Sequence, residues 1–259
     1  MAGLAGRLRI WWTICGGLLV SYSSEQRQPR RLYGRRTGRS LNKARQAVLN
    51  ELLPRLEIEI PLSSGEGDLI NPSALFPFVP HKTVLEIGFG NGEHVAAMMR
   101  TRPDDGFIGC EPFVNGMAAF LKTIKDEKND HVRVWMDDAM EVVDHLTGDS
   151  LDEIYVLNPD PWPKTRHHKR RIISQANLDK CARVLKPGGL LTMTTDVDDL
   201  AEWMLTQAIG HPAFQWTAEK AADWQTPPPG WIPTRYEQKG IAAGRKQSYL
   251  LFRKTSESF

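Results

Sequence analysis

The 259-residue chain carries 33 Lys and Arg against 31 Asp and Glu, and 41% of it is hydrophobic and 25% charged. That is the composition of an ordinary soluble globule, long enough for one full α/β domain with an extension. A formal charge of +2 excludes nucleic-acid affinity spread over the whole surface, so any such affinity must come from local clusters. Cys15, Cys110 and Cys181 are an odd number at wide spacing with no Cys-x-x-Cys pair, which points to free thiols in a reducing compartment; adjacent His167 and His168 do not share a helix face, and no metal site is expected.

The apolar run from Ile10 to Val20 follows Arg7 and Arg9 and imitates a signal peptide. It is too short to span a membrane and no small-x-small cleavage site follows, so residues 1–25 read as a dispensable, disordered leader. Arg27, Arg30, Arg31, Arg35, Arg36, Arg39, Lys43 and Arg45 then form a basic arm without an acidic residue among them. Such a run is commonly a solvated face, but Tyr33 and Gly34 interleaved with arginines suit phosphate contact and base stacking. Ser40 or Asn42 can cap a helix running to about Leu53 and stopped by Pro54, and residues 61–67 read as a loop. Arm and helix occupy 26–79; the catalytic domain is expected over 80–259.

Residues 83–94 are the centre of that domain. Val84, Leu85 and Ile87 make a buried strand that ends in Gly88, Gly90 and Gly92, after which Val95, Ala96, Met98 and Met99 continue with helical spacing. Glycines are needed where a ligand approaches backbone at a strand's carboxyl end beside unpaired helix N–H groups. The pattern Gly-x-Gly-x-Gly, with Glu86 just ahead of it, departs from a dinucleotide fingerprint. An acid there disfavours a pyrophosphate and favours a cation such as the α-ammonium of S-adenosylmethionine. The second strand, 107–110, ends in Glu111, placed to accept both hydroxyls of an adenosine ribose. The third, 131–136, is followed by Asp137 and Asp138, where a carboxylate can accept from an adenine amino group; helix capping would also account for either acid.

A fourth strand, 151–157, runs into Asn158, Pro159, Asp160, Pro161, Trp162, Pro163 and Lys164. Prolines at every second position forbid helix or central strand, so this is a stiff loop at the edge where open α/β sheets place their substrates, and Arg166, His167, His168, Lys169, Arg170 and Arg171 follow. A fifth strand over 189–195, after the turn at 186–189, ends at Asp196. Residues 214–217 and 248–252 can form a closing antiparallel pair around a long loop holding Pro227, Pro228, Pro229 and Gly230.

These stretches, together with Thr234, Arg235, Tyr236 and Glu237, closely resemble the motifs of the bacterial tRNA (guanine-N7-)-methyltransferase family from about Arg31 to Arg253. The proline loop with its basic tail is the specific part; the glycine loop alone is not. Tyr236 stands where the family often has Phe, and Asn158 where a second aromatic is common. The resemblance implies a class I methyltransferase fold, a Rossmann-like seven-stranded sheet, mostly parallel with an antiparallel C-terminal strand and helices on both faces. It implies methyl transfer from S-adenosylmethionine to N7 of guanine 46 in the tRNA variable loop, in the cytoplasm, by a monomer or homodimer with no membrane and no obligate protein partner. Asp160 falls at the catalytic acid. Glu86, Gly88, Gly90, Glu111, Asp138 and Asp160 fall at cofactor positions, and Lys164, Asp196, Thr234, Arg235, Tyr236 and Glu237 at substrate positions; Asp196 could alternatively cap a helix.

Two rivals remain open at the level of sequence. An exocyclic-amine methyltransferase is faintly imitated by the proline loop, though the acid between the prolines argues against it. A non-catalytic RNA-binding protein with a relic cofactor fold is the other, opposed by acids at three successive strand ends.

Overall fold

The computed structural model describes residues 32–61 and 68–256. The expected leader, Arg27, Arg30 and Arg31 of the arm, Cys15 and most of the expected 61–67 loop lie outside the described residues.

Strands β1 (Thr83–Ile87), β2 (Gly106–Cys110), β3 (Val132–Trp135), β4 (Leu151–Leu157), β5 (Leu185–Thr195), β6 (Phe214–Trp216) and β7 (Ser248–Lys254) form one sheet in the order β3-β2-β1-β4-β5-β7-β6. The first five are parallel, and β7 pairs antiparallel with both β5 and β6. β1 and β2 are buried at every position, as central parallel strands covered on both faces must be.

Side-chain alternation divides the core between the two faces. Val84 and Phe107 point to one side, which is filled by α1 (Lys43–Leu56), α2 (Glu93–Thr101) and α3 (Val114–Ile124) through Leu52, Val95, Met117 and Phe120. Leu85, Ile87 and Ile108 point to the other, covered by α4 (Ala139–His145), α5 (Gln175–Val184) and α6 (Asp198–Ile209) through Val142, Leu178 and Met204. Residues ahead of Pro80 therefore share the core with those after it, and Ile58 N–H donates to Val134 O at 2.9 Å beside β3. Among the described residues no helix is long and apolar enough to cross a membrane.

Three local expectations are corrected. Asn42 does cap α1, accepting from Arg45 N–H at 2.9 Å, but the helix runs through Pro54 to Leu56. Pro54 lies in the last turn, where it costs one hydrogen bond, while burial of Leu52 and Leu56 and the bond from Glu57 N–H to Leu53 O at 2.8 Å hold the turn closed. β5 begins at Leu185 rather than Gly189: its ladder with β4 jumps from Leu151–Leu185 to Glu153–Leu190, so the glycine turn is a bulge inside the strand, with Gly188 at φ +79. The long loop between β6 and β7 contains α7 (Ala222–Gln225) and α8 (Arg235–Ala242).

Candidate active site

The strand order places the acids in a row. Asp138, Glu111, Glu86, Asp160 and Asp196 belong to the carboxyl ends of β3, β2, β1, β4 and β5, which is their order across the sheet. The chain reverses its direction of winding between β1 and β4, and at such a switch point the loops diverge and leave a crevice.

The glycine loop is shaped by close approaches on one side and open space on the other. Gly88 and Gly90 adopt φ +71 and +60, and a Cβ on either would meet no atom of the described residues within 4 Å. Gly92 starts α2 at φ +75, where a Cβ would run into the Phe120 ring, and a Cβ on Gly116 of α3 would run into Gly90 O. The loop is thus packed from below and clear above, a cradle that side chains would fill. Glu111 fastens it: Oε2 accepts from Gly90 N–H at 2.6 Å and Oε1 from Phe113 N–H at 2.8 Å. Burial pushes the Glu111 carboxyl up to about 6, the two backbone bonds oppose that shift, and the neighbouring Asp160 and Glu86 add to it.

Glu86 is buried and faces His94 on the first turn of α2, with 2.9 Å between Oε2 and Nδ1. His94 itself lies between Tyr155 and Trp231, ring centroids 5.0 and 5.2 Å away. Asp138 caps α4 through Oδ1, which accepts from Met140 N–H at 3.0 Å, so the capping alternative holds for that oxygen. The adjacent Asp137 pairs with Arg36 of the arm at 2.6 Å.

Asp160 is exposed in the proline loop, and the arm passes beside it: a Cβ on Gly34 would sit 3.5 Å from Asp160 Oδ2. Two non-glycine residues flanking Asp160 hold positive φ, Asn158 at 48° and Trp162 at 43°, a conformation that a bulky side chain adopts only when its surroundings impose it. Asn158 N–H donates to Thr194 O at 2.9 Å, and the buried Arg171 donates from Nε to Pro161 O at 2.9 Å while pairing with Asp199. Arg170 places its guanidinium 4.7 Å from the Tyr33 ring and 4.9 Å from the Trp162 ring. Lys164 and Arg166 are exposed at the start of the following 3-10 turn, Thr165–Arg170. Partial desolvation, then the cations of Arg170, Arg166, Lys164 and Lys169, hold His167 below its ordinary value.

Asp196 is not a cap. Val197 precedes α6 without a side-chain bond, and the Asp196 carboxylate instead accepts from Arg245 Nε at 2.6 Å and Tyr236 Oη at 3.3 Å. Desolvation, then Asp196, raises the Tyr236 phenol above its usual range, and Asp160 contributes as well, which puts Tyr236 in the field of both acids. Thr234 caps α8 by accepting from Glu237 N–H at 3.1 Å, and Arg235 is exposed. Glu237 points the other way: it is 1% exposed, accepts from Trp231 Nε1 at 3.0 Å, and binds the Tyr249 hydroxyl. Of the residues expected to touch substrate, Lys164, Thr234, Arg235 and Tyr236 are accessible or partly so, whereas the Asp196 side chain is covered by its pair with Arg245 and Glu237 is beneath them. Sequence reasoning placed Arg171 only in the basic tail and gave no role to His94, Trp231, Arg245 or Gln247. Of those four, His94 carried a signal, a histidine two positions after the last glycine of the loop.

A mostly parallel seven-stranded sheet closed by antiparallel strands, with helices on both faces and a glycine cradle at the switch point, is the class I methyltransferase fold. The profile of the family described as "Putative methyltransferase" matches residues 80–250. The chain is 47% identical over 222 residues to the tRNA (guanine-N(7)-)-methyltransferase of Rhizobium meliloti, covering 86% of this chain and 94% of that protein. It is 43% identical to the protein of the same name from Rhodospirillum rubrum, covering 86% and 88%. The chain belongs to the tRNA (guanine-N(7)-)-methyltransferase family. Among solved structures, the 16S rRNA methyltransferase KamB superposes with a TM-score of 0.50 at 12% identity, covering 74% of this chain and 94% of that one, a likeness of fold.

Proposed function

We propose that this protein transfers a methyl group from S-adenosylmethionine to N7 of guanine 46 in tRNA, in the cytoplasm. The observation that carries this reading is the row of carboxylates along one sheet edge, beside the proline loop, in a chain so similar to tRNA (guanine-N(7)-)-methyltransferases.

The residues fit the cofactor. Gly88 and Gly90 leave room above the loop, Glu86 offers negative charge for an ammonium, Glu111 keeps a second lone pair on each oxygen for ribose hydroxyls, and Asp138 keeps one oxygen beyond its cap bond. S-adenosylmethionine supplies, when bound, an electrophilic sulfonium methyl.

Guanine N7 has a lone pair and no proton, so the protein need not abstract one; alignment of the base is the main requirement. Asp160, exposed between two stiff prolines, orients the base by accepting from its N1–H and amino group and offsets the positive charge that develops on it. Lys164, Asp196, Thr234, Arg235 and Tyr236 form the tRNA side of the crevice. Glu237 serves from beneath, holding Trp231 and Tyr249 and thereby the start of α8. The arm from residue 26 onward and the 3-10 turn at 165–170 supply cations for phosphates.

Digestion of treated tRNA to nucleosides tests the reading. N7-methylguanosine, lost when guanine 46 is replaced, is expected; a methylated exocyclic amine or no methylated nucleoside would overturn it.

A further inference from the structure

The segment that leads into β7 touches both acid-bearing loops at once. Arg245 Nε donates to Asp196 Oδ2 at 2.6 Å, and Gln247 Nε2, two residues on, donates to Asn158 Oδ1 at 2.8 Å. Asn158 opens the loop that carries Asp160, and at φ 48° it occupies a left-handed conformation that asparagine tolerates better than most residues. With its N–H tied to Thr194 O, the carboxamide is a second tether on the direction in which the chain leaves β4.

Gln247 is only 7% exposed and its Oε1 has no partner among the described residues. A buried amide left half satisfied is costly, and an apolar side chain at the same place would avoid that cost. The other end of the segment is fitted as closely. The Asp196 side chain is 3% exposed, and Gly240 leaves the space for its ion pair: a Cβ there would lie 2.9 Å from Asp196 Oδ2 and 3.3 Å from Arg245 Nη2.

We propose that Arg245 and Gln247 are positioning residues, a single clip that sets the separation of Asp160 and Asp196 and so the placement of the base between them. The proposal rests on the function given above. Arg245 acts through Asp196 and Gln247 through Asn158, so each pair must be coupled in the rate of methyl transfer at unchanged cofactor affinity, whereas a merely structural role would couple the pair in unfolding stability without that rate signature.

Two double-mutant cycles test this, Gln247→Leu with Asn158→Gly and Arg245→Ala with Asp196→Asn. The readouts are single-turnover methyl transfer at saturating cofactor, cofactor affinity by calorimetry, and thermal unfolding. Each single variant is expected to lose about tenfold in rate, the scale of one positioning hydrogen bond, with cofactor affinity changed less than about twofold. In each double variant the second substitution should add less than about twofold. Asn158→Asp keeps the acceptor and the tolerated φ, and should retain the rate within about threefold. If Arg245→Ala fails to fold, Arg245→Lys, which keeps the charge without the fork, takes its place in the cycle. Multiplicative losses in both cycles, or an unchanged rate in Gln247→Leu, would overturn the clip. A wild-type product other than N7-methylguanosine would overturn the function instead, while the coupling is scored on whatever acceptor the wild type methylates.

Discussion

Glu111 closes the glycine loop through Gly90 and Phe113, and in the proposed function it also accepts from the cofactor with what remains of its oxygens. Both tasks need the carboxylate ionised, and burial pushes its pKa up to about 6. The signs follow from linkage. A carboxyl whose folded value lies above 4.5 makes the cofactor-free fold less stable as pH rises from 4.5 through about 6. Cofactor binding, which uses the charged acceptor, should strengthen as pH rises through that same window. Glu111→Gln should weaken S-adenosylmethionine binding by about 1–3 kcal/mol and flatten its pH dependence near 6. Calorimetry in matched buffers checks both, and an unchanged affinity would remove Glu111 from the site. At Asp160 the charge rather than the shape is decisive: Asp160→Asn should lower the single-turnover rate on the order of 10²-fold with little change in cofactor affinity. At saturating cofactor the wild-type rate should show no ascending limb around neutrality that the variant lacks; such a limb would mean a general base and a different methyl acceptor.

At the scale of elements, α8 hangs from one buried acid. Glu237 gathers Trp231 from the preceding loop and Tyr249 from β7, and burial, then Glu237 itself, keeps the Tyr249 phenol well above its ordinary range. Glu237→Ala leaves two donors without an acceptor in the interior and should cost about 2–4 kcal/mol. A lowered unfolding midpoint in denaturant, with unchanged slope, is the expected result; wild-type stability with lost tRNA binding would make Glu237 a substrate contact instead. The same cluster marks where sequence reading stops. The strands, the glycine loop and the proline loop were legible because each is written in neighbouring residues. Thr234 and Glu237 also look like a local capping box, yet Glu237 does not return to the cap; it turns inward to partners that only the fold supplies. Pro54 and the glycines before Leu190 looked like boundaries because local propensity ends elements there, and tertiary burial carried both elements through.

Over the whole molecule, near-neutral net charge conceals a division between an acidic crevice and a basic rim. Arg35, Arg39, Arg166 and Lys169 are exposed, whereas Arg36 is committed to Asp137. Replacing Arg35, Arg39 and Arg166 by Ala should weaken tRNA binding and reduce the slope of log affinity against log salt by about 0.7–0.9 for each phosphate that is no longer neutralised. Cofactor affinity should be unaffected, and an identical slope would show these arginines to be a solvated face. The acids of the crevice could be read from the chain because each follows its own strand. Their partners could not, since Arg245 lies 49 positions from Asp196, Gln247 lies 89 from Asn158 and Arg36 lies 101 from Asp137.

The first turn of α3 touches two things that would otherwise be strangers. On one side Val114 N–H donates to Arg36 O at 3.0 Å, and the Asn115 side chain accepts from Gly38 N–H at 2.8 Å and donates to Arg39 O at 2.7 Å, so the arm is sewn to it. On the other, Gly116 lies against the backbone of Gly90 with no space for a methyl group between them. A contact shared in this way offers a route of coupling between the two occupancies, and by linkage the factor by which bound cofactor changes the affinity for tRNA is the factor by which bound tRNA changes the affinity for cofactor. Asn115→Ala, which cuts the stitching and leaves both binding surfaces intact, should bring that factor toward one in both titrations together.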